Sequence, residues 1–428
     1  METNSTERYR RRTLRLLLTG FAGATLAFVP SWLRILEGTW PAWVLAAHGV
    51  ALTAAAVALG RQECVRPRQI VWLCLFAAAV PSAFLMAMRA ATAPGQYVHD
   101  SAVQSEEAMR FLLQGKDPYA ESFANTPMAQ VPFFGGKNPA LEHIVYYPGS
   151  FLLSLPLRIV VHGLTGWYDH RLFLLICYGA ALWGAWRAAE SQWRCHLMVA
   201  VGLNPAFNFY LIQGANDAAV AGLLLVALAL SQGGRSTRAA ICVGAAAAFK
   251  QTAWFFGVLA VADALGRRGP GAAARAAVVM AAAMLALTLP FVVWDRAAFF
   301  DDTYAYLSGT AKESYPAAGL SIANLTASYA VDPATTRKLF SVLQLGVVLP
   351  MLLFCAWRQA RLPGADRLAW RYGLVVTAAF VCGRYFNASH LAYVSLFLIA
   401  SWLLPGARNG SIGAAAAQGG DSQEGNSR

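Results

Sequence analysis

Apolar runs of about 20 residues, each long enough to cross a hydrocarbon core of about 30 Å, recur along almost the whole chain. Polar residues gather in the connectors between them. Backbone groups in lipid must be satisfied within their own segment, so these runs read as helices. The alternating pattern of an outer-membrane barrel is absent. Candidate spans cover 13–36, 40–59, 70–88, 147–162, 171–187, 197–212, 218–230, 239–262, 272–294, 339–357, 369–382 and 391–404. They predict an all-α fold, a polytopic transmembrane bundle of about 10–13 helices. Twelve crossings return both termini to one side.

Composition agrees. Hydrophobic residues make up 57% of the chain and charged residues 13%, against about 25% charged in a soluble domain. The net charge of +12 does not point to nucleic acid. The arginines cluster in connectors: Arg8, Arg10, Arg11, Arg12 and Arg15; Arg61, Arg66 and Arg68; Arg267, Arg268 and Arg275; Arg358, Arg361, Arg367 and Arg371. The positive-inside rule assigns all four groups to the cytoplasm. Seven cysteines without a CxxC pair support neither a disulfide framework nor a zinc site. The run 14–29 leads into Pro30-Ser31-Trp32 without a cleavage site and reads as a retained helix.

Two long, net acidic loops, 93–146 and 295–336, then fall on the outer face. The first carries Asp100, Glu106, Glu107, Asp117, Glu121 and Glu142 against Arg110, Lys116 and Lys137. The second carries Asp295, Asp301, Asp302, Glu313 and Asp332 against Arg296 and Lys312. In the first loop, Ser101 is placed to cap a helix running to Gln114, with Val103, Met109, Leu112 and Leu113 along one face and Glu106, Glu107 and Arg110 elsewhere. That pattern resembles an interfacial helix lying on a membrane. Strict alternation of spans would put Asn216-Asp217 inside and Arg235 and Arg238 outside, against the charge rule. Short or re-entrant segments within 147–262 would remove both conflicts, and Asn216-Asp217 is expected on the outer side. The chain divides into two added helices with a basic cytoplasmic N-terminus (1–69), a core (70–405) and a disordered cytoplasmic tail (406–428) rich in Gly, Ala, Ser and Gln.

Several polar islands lie at the outer membrane edge. Asp100 follows His99 at a helix boundary, where a carboxylate can take a proton from a sugar hydroxyl and a lipid-edge environment would raise its pKa. Lys116-Asp117-Pro118-Tyr119 sets a cation, an acid and an aromatic ring around a turn. Tyr146-Tyr147-Pro148 opens the next helix, as an aromatic anchor or a site element. Lys250, next to Gln251, interrupts an apolar run, where a charge is costly and marks function. Asn216 and Asp217 carry the same logic. Arg384 and His390 bound another island, and Arg384 suits a phosphate. Asp301 and Asp302 are adjacent acids that read as a solvated loop more readily than as a metal site. No Walker motif and no GxGxxG is present. An activated sugar used outside would therefore arrive on lipid.

In order, the chain shows Asp100, Gly115-Lys116-Asp117-Pro118-Tyr119, Tyr147-Pro148, Asn204-Pro205, Gly214-Ala215-Asn216-Asp217 and Phe249-Lys250-Gln251. From about residue 70 to 404 it resembles the GT-C superfamily of integral-membrane glycosyltransferases, in particular the bacterial polyprenol-phosphate-sugar-dependent mannosyl- and arabinofuranosyl-transferases. The resemblance implies a GT-C-like bundle with an interfacial helix in the first outer loop. It also implies inverting transfer with Asp100 as general base and a polyprenyl phosphate as leaving group. His99, Lys116, Asp117, Tyr119, Tyr147, Asn216, Asp217, Lys250, Gln251, Arg384 and His390 are the expected substrate-binding residues. Relatives with Asp-x-Asp in the loop differ from His99-Asp100-Ser101 here, so no metal ligand is assigned and a divalent metal stays open.

The expected activity is a hexosyl- or pentosyl-transfer from a polyprenyl-phosphate sugar to a glycan or lipid acceptor, at the outer face of a bacterial inner membrane. The alternatives are a transporter or flippase for an anionic or lipid-linked substrate and a noncatalytic assembly factor. No internal repeat favours a transporter.

Overall fold

The computed structural model describes residues 2–132, 138–311, 314–328, 339–340 and 342–406. Lys137, Lys312, Glu313 and Asp332, together with the expected disordered tail from 407 onward, lie outside the described residues.

The described chain is almost wholly helical. Two helices come first, α1 (Glu2–Ala24) continued by α2 (Val29–Ile35), then α3 (Trp40–Gly60) and α4 (Pro67–Ala91). The loop after them holds α5 (Asp100–Leu113), α6 (Gly149–Leu152) and α7 (Leu155–Thr165). The central layer is α8 (Arg171–Ala188), α9 (Arg194–Gly202), α10 (Pro205–Gln213), α11 (Asp217–Gln232), α12 (Ser236–Ala247), α13 (Thr252–Arg268) and α14 (Pro270–Trp294). Short helices α15 (Arg296–Phe300), α16 (Tyr306–Ser308) and α17 (Ile322–Ser328) precede α18 (Leu349–Arg361), α19 (Ala365–Val381) and α20 (Ala388–Ser401).

Among the described residues, four helical stretches are long and apolar enough to cross a membrane unaided: Glu7–Ile35, Trp40–Gly60, Pro67–Ala91 and Pro270–Trp294. The pair α9–α10, bent by 50°, would make a fifth. Asn204 and Pro205 cause the break. Asn204 caps α10 by accepting from Phe207 N–H, and the proline ring cannot continue α9. Most other helices are shorter than the twenty-residue spans the apolar runs suggest. They lie in the core, packed on one another through close approaches at small residues. A Cβ on Gly184 would fall 2.7 Å from the Leu225 backbone, and one on Gly222 would fall 2.4 Å from the Cys177 carbonyl oxygen.

Contacts at helix ends sort the chain into two faces, and this corrects the span assignment in two places. The segment 147–170 does not cross. Gly149 N–H donates to Ala248 O at one end, and Asp169 reaches Arg89 at the other, both in the layer that holds α5. The run 239–262 is not one span but a hairpin. It turns at 248–251, and α12 begins beside the end of α13, where Ser236 and Arg268 line one hollow. These changes cancel in the count of crossings. They place Asn216-Asp217 and Lys250 on the face that holds Asp100, and Arg235 and Arg238 beside Arg268 and Arg275 on the other, as the charge rule requires.

The predicted loop helix exists, with two differences. His99, not Ser101, is its N-cap residue. Its acidic side is not open: Glu106 and Glu107 are 7% and 8% exposed, because α5 lies under the segments 123–132 and 138–147 and against α6 and the end of α10. The helix whose apolar side chains stand exposed is α7, with Ile159, Val160 and Leu164 at 53%, 58% and 82%. That is the surface expected of a helix lying on lipid.

Candidate active site

Beneath the site lies a buried charge network. Arg89, at the end of α4, donates to both Glu106 oxygens at 2.9 and 2.7 Å and to Asp169 at 2.8 Å. Arg171, fully buried, pairs with Asp169 at 2.7 Å and donates to Tyr97 O. The Arg158 guanidinium caps the set on Glu106 O. Arg89 and Arg171 balance Glu106 and Asp169, Arg158 adds a third cation at the edge, and Arg89 and Arg171 also donate to the Pro94 and Tyr97 carbonyls. An arrangement of this kind survives burial where a lone charge would not. It fixes α5 against α4 and α8, and so fixes the start of α5, where Asp100 sits.

Asp100 is the first residue of α5. His99 N–H donates to Gln213 O at 2.7 Å, and Ser101 Oγ donates to Gly214 O at 3.1 Å, so this corner is tied to the α10–α11 junction. His99 Nδ1 is 2.7 Å from Asp100 Oδ1 and 3.2 Å from Ser101 N. One nitrogen cannot donate to the first and accept from the second. The shorter, charge-assisted contact decides, with Nδ1–H donating to the carboxylate. Burial works against charge on both groups, but their attraction outweighs it. His99 is raised and Asp100 lowered from their ordinary values. The expectation that the lipid edge would raise Asp100 is thereby corrected: the neighbouring imidazole, not the lipid, sets its charge.

The cavity in front of Asp100 is a cleft open to solvent, lined by polar and aromatic side chains. Six of the expected residues line it: His99, Asp100, Asn216, Asp217, Lys250 and His390. They come from four separate stretches of chain. Lys250 Nζ contacts Asp217 Oδ1 at 2.6 Å, and Asn216 Nδ2 donates to Ser105 Oγ. His390 stacks on Phe380 with centroids 4.1 Å apart, its Nδ1 accepting from Asn387 N–H.

The other expected residues stand outside the cavity. Tyr119 and Tyr147 are packing residues. Tyr119 Oη donates to Tyr146 O at 2.8 Å, and both rings meet Phe299 edge-on. Asp117 caps the turn by accepting from Tyr119 N–H, and Lys116 pairs with Glu121 at the surface. Gln251 reaches Thr303 O at 3.4 Å. Arg384 lies behind Tyr306, pressed against Gly309, where a Cβ would fall 2.5 Å from its guanidinium carbon. Gly309, at φ +83°, is the residue that leaves this room.

Four tyrosines line the cavity, Tyr146, Tyr306, Tyr315 and Tyr385; sequence reasoning singled out Tyr146, as an anchor or a site element, and not the other three. They form an aromatic collar, with Tyr306–Tyr315 and Tyr315–Tyr385 centroids at 6.3 and 5.2 Å. Tyr385 is held by a two-residue parallel pairing of β1 (Ala318–Gly319) with β2 (Tyr385–Phe386). Such rings can cover the C–H faces of a sugar. Their loops carry no periodic pattern, so only three-dimensional closure reveals them.

Asp302 is not a solvated loop acid. It is 3% exposed, accepts from Ile144 N–H at 2.9 Å and meets His143 Nδ1 at 2.7 Å. Burial raises it to about 6, and the same pair raises His143. His143, Asp301 and Asp302 could offer ligand atoms to a metal within 4.8 Å of one another. However, His143 Nδ1 and both Asp302 oxygens already serve each other and the backbone, so the donor set fits a tether between the two loops better than a metal centre.

No curated protein matches the chain. The sequence model of glycosyltransferase family 87 matches residues 145–383, more than half of the chain. The match takes in Asn216, Asp217 and Lys250 and leaves Asp100 and His390 outside it. With the all-helical membrane fold around these residues, the chain belongs to glycosyltransferase family 87, a membrane family of the GT-C type.

Proposed function

We propose that this glycosyltransferase moves a sugar from a polyprenyl-phosphate donor to an acceptor hydroxyl with inversion, and that Asp100 is the general base. The observation that carries the reading is the convergence in one cavity of a carboxylate from the first loop, a cation from the α12–α13 turn and a histidine from α20. The acceptor oxygen attacks the anomeric carbon and its proton passes to Asp100. The bond from that carbon to the phosphate oxygen breaks, and the electron pair leaves with the lipid phosphate. A positioned base contributes about 10²- to 10⁴-fold. Held ionised by His99, Asp100 is a weak base ready at neutral pH, suited to taking the proton late, once bonding to carbon has made the hydroxyl acidic. Lys250 stands where a departing phosphate can be neutralised, His390 is placed to hydrogen-bond to it, and the tyrosine collar would hold the sugar ring.

The same reading puts the site on the outer face of a bacterial inner membrane, with residues 1–69 as an addition to a core spanning 70–405 and a cytoplasmic tail. The clustering of arginines away from the cavity supports that orientation. The deciding experiment is transfer from a panel of radiolabelled polyprenyl-phosphate sugars in membranes holding the full chain, wild type against Asp100→Asn. The variant is expected to lose at least about 100-fold; equal transfer would remove Asp100 as base. For orientation, Asn125→Cys in a Cys64→Ser background should react with an impermeant maleimide from outside, and labelling from the cytoplasmic side alone would reverse the topology.

A further inference from the structure

A second cavity opens on the arginine face, between α11, α12, α13 and α14. Its walls are mostly apolar, with Leu228, Val243, Phe256 and Met280 among them. Its mouth is basic. Arg267 and Arg268 line it, and the adjoining hollow shares Ser236, Arg268 and Ala276 and adds Arg275. Arg235 and Arg238 flank Ser236 beside them. Asp263 is the one carboxylate lining these hollows, and it is fully engaged by Arg267, Gln359 and the Gly364 N–H. No carboxylate among the described residues pairs with Arg235, Arg238 or Arg275. The mouth therefore carries a large uncompensated positive charge directly above an apolar slot.

An amphiphile with an anionic head matches both halves. Guanidinium forks suit phosphate oxygens, and the slot suits a hydrocarbon chain. We propose that this cavity binds an anionic phospholipid, with its phosphate at Arg268 and Arg275 and the start of an acyl chain in the apolar slot beside Ala276. The site is separate from the transfer cavity, since no residue lines both. A neutral zwitterionic lipid would leave the charge unmatched, and free phosphate would leave the slot empty.

Native mass spectrometry of the full chain in neutral detergent tests this, with separate titrations of phosphatidylglycerol, phosphatidylcholine and inorganic phosphate. Phosphatidylglycerol adducts should persist to higher collision energy than phosphatidylcholine adducts. R268Q/R275Q should weaken phosphatidylglycerol retention about thirtyfold, the loss expected for two arginines at an anionic surface. Ala276→Phe should weaken it with every arginine in place. Unfolding temperatures of both variants, unchanged from wild type, separate these effects from misfolding. Equal retention of the two lipids, or full retention by R268Q/R275Q, would overturn the proposal. Displacement of the lipid by inorganic phosphate would assign the mouth to a free anion and overturn it equally.

Discussion

The Lys250 ammonium lies 2.6 Å from the Asp217 carboxylate, joining the turn between α12 and α13 to the first residue of α11 at the floor of the cavity. The side chains are 16% and 11% exposed, so neither charge is well hydrated. Removing one partner leaves the other charge stranded, which costs more than the pair contributes. Lys250→Met should therefore lower the unfolding temperature as well as transfer. The double variant Lys250→Met/Asp217→Asn should recover much of the stability and none of the transfer. A double-mutant cycle on both readouts checks this. Recovery of transfer by the double variant would show that Lys250 serves only the fold.

His99 and Asp100 give a pH prediction whose sign follows from their shifts. His99 is raised, so its contribution is complete below its ordinary value and fades as pH rises through the raised one. Asp100 is lowered, so its contribution is present above the ordinary carboxylate range and fades as pH falls through the lowered value. The pair is thus intact across the slightly acidic range. His99→Gln removes the imidazolium, and the acid limb of the pH–rate profile should move to higher pH while the protein stays folded. An unmoved acid limb would show that Asp100 is not the titrating base.

Arg89 is 3% exposed at its side chain, and its two carboxylate partners are 10% and 0% exposed. Arg89→Met leaves two buried anions short of a cation, and a loss of about 3–5 kcal/mol is expected. Glu106→Gln keeps the shape and one acceptor and should cost less. Thermal unfolding of the purified variants in detergent measures the difference.

The His143–Asp302 tether couples the first loop to the second. Asp302 is raised to about 6 and His143 is raised as well, so for each the protonated form is favoured in the folded state. Stability from the pair is greatest at low pH and falls as pH rises through those values. After correction for the intrinsic base-catalysed rate, hydrogen exchange at 140–146 and 301–308 should show less protection at pH 8 than at pH 6, and Asp302→Asn should flatten that dependence.

Much of the architecture could be read from hydrophobic runs, because lipid permits few alternatives to a helix. What misled was length. The run 239–262 looks like one span because Lys250-Gln251 is a two-residue interruption, and only the contact of Ser236 with the Arg268 hollow shows that the chain reverses there. The run 147–162 has the composition of a span but divides into the buried α6 and the surface helix α7. The site was legible where a polar residue stands against an apolar background, as with Asp100, Asp217 and Lys250. It was not legible where ordinary polarity hides a buried role. Glu106 looks like any exposed helix acid until Arg89 and Asp169 are seen around it, and Tyr306 and Tyr315 look like any loop aromatics.

The order in which the cavity gains its residues has a biosynthetic consequence. Asp100 leaves the ribosome early, Lys250 far later, and Asn387, Ser389 and His390 later still, at the head of α20. A chain halted before α20 would carry its acid and its cation but no closed chamber. On the proposed assignment of the site, the cavity is complete only once α20 has been inserted.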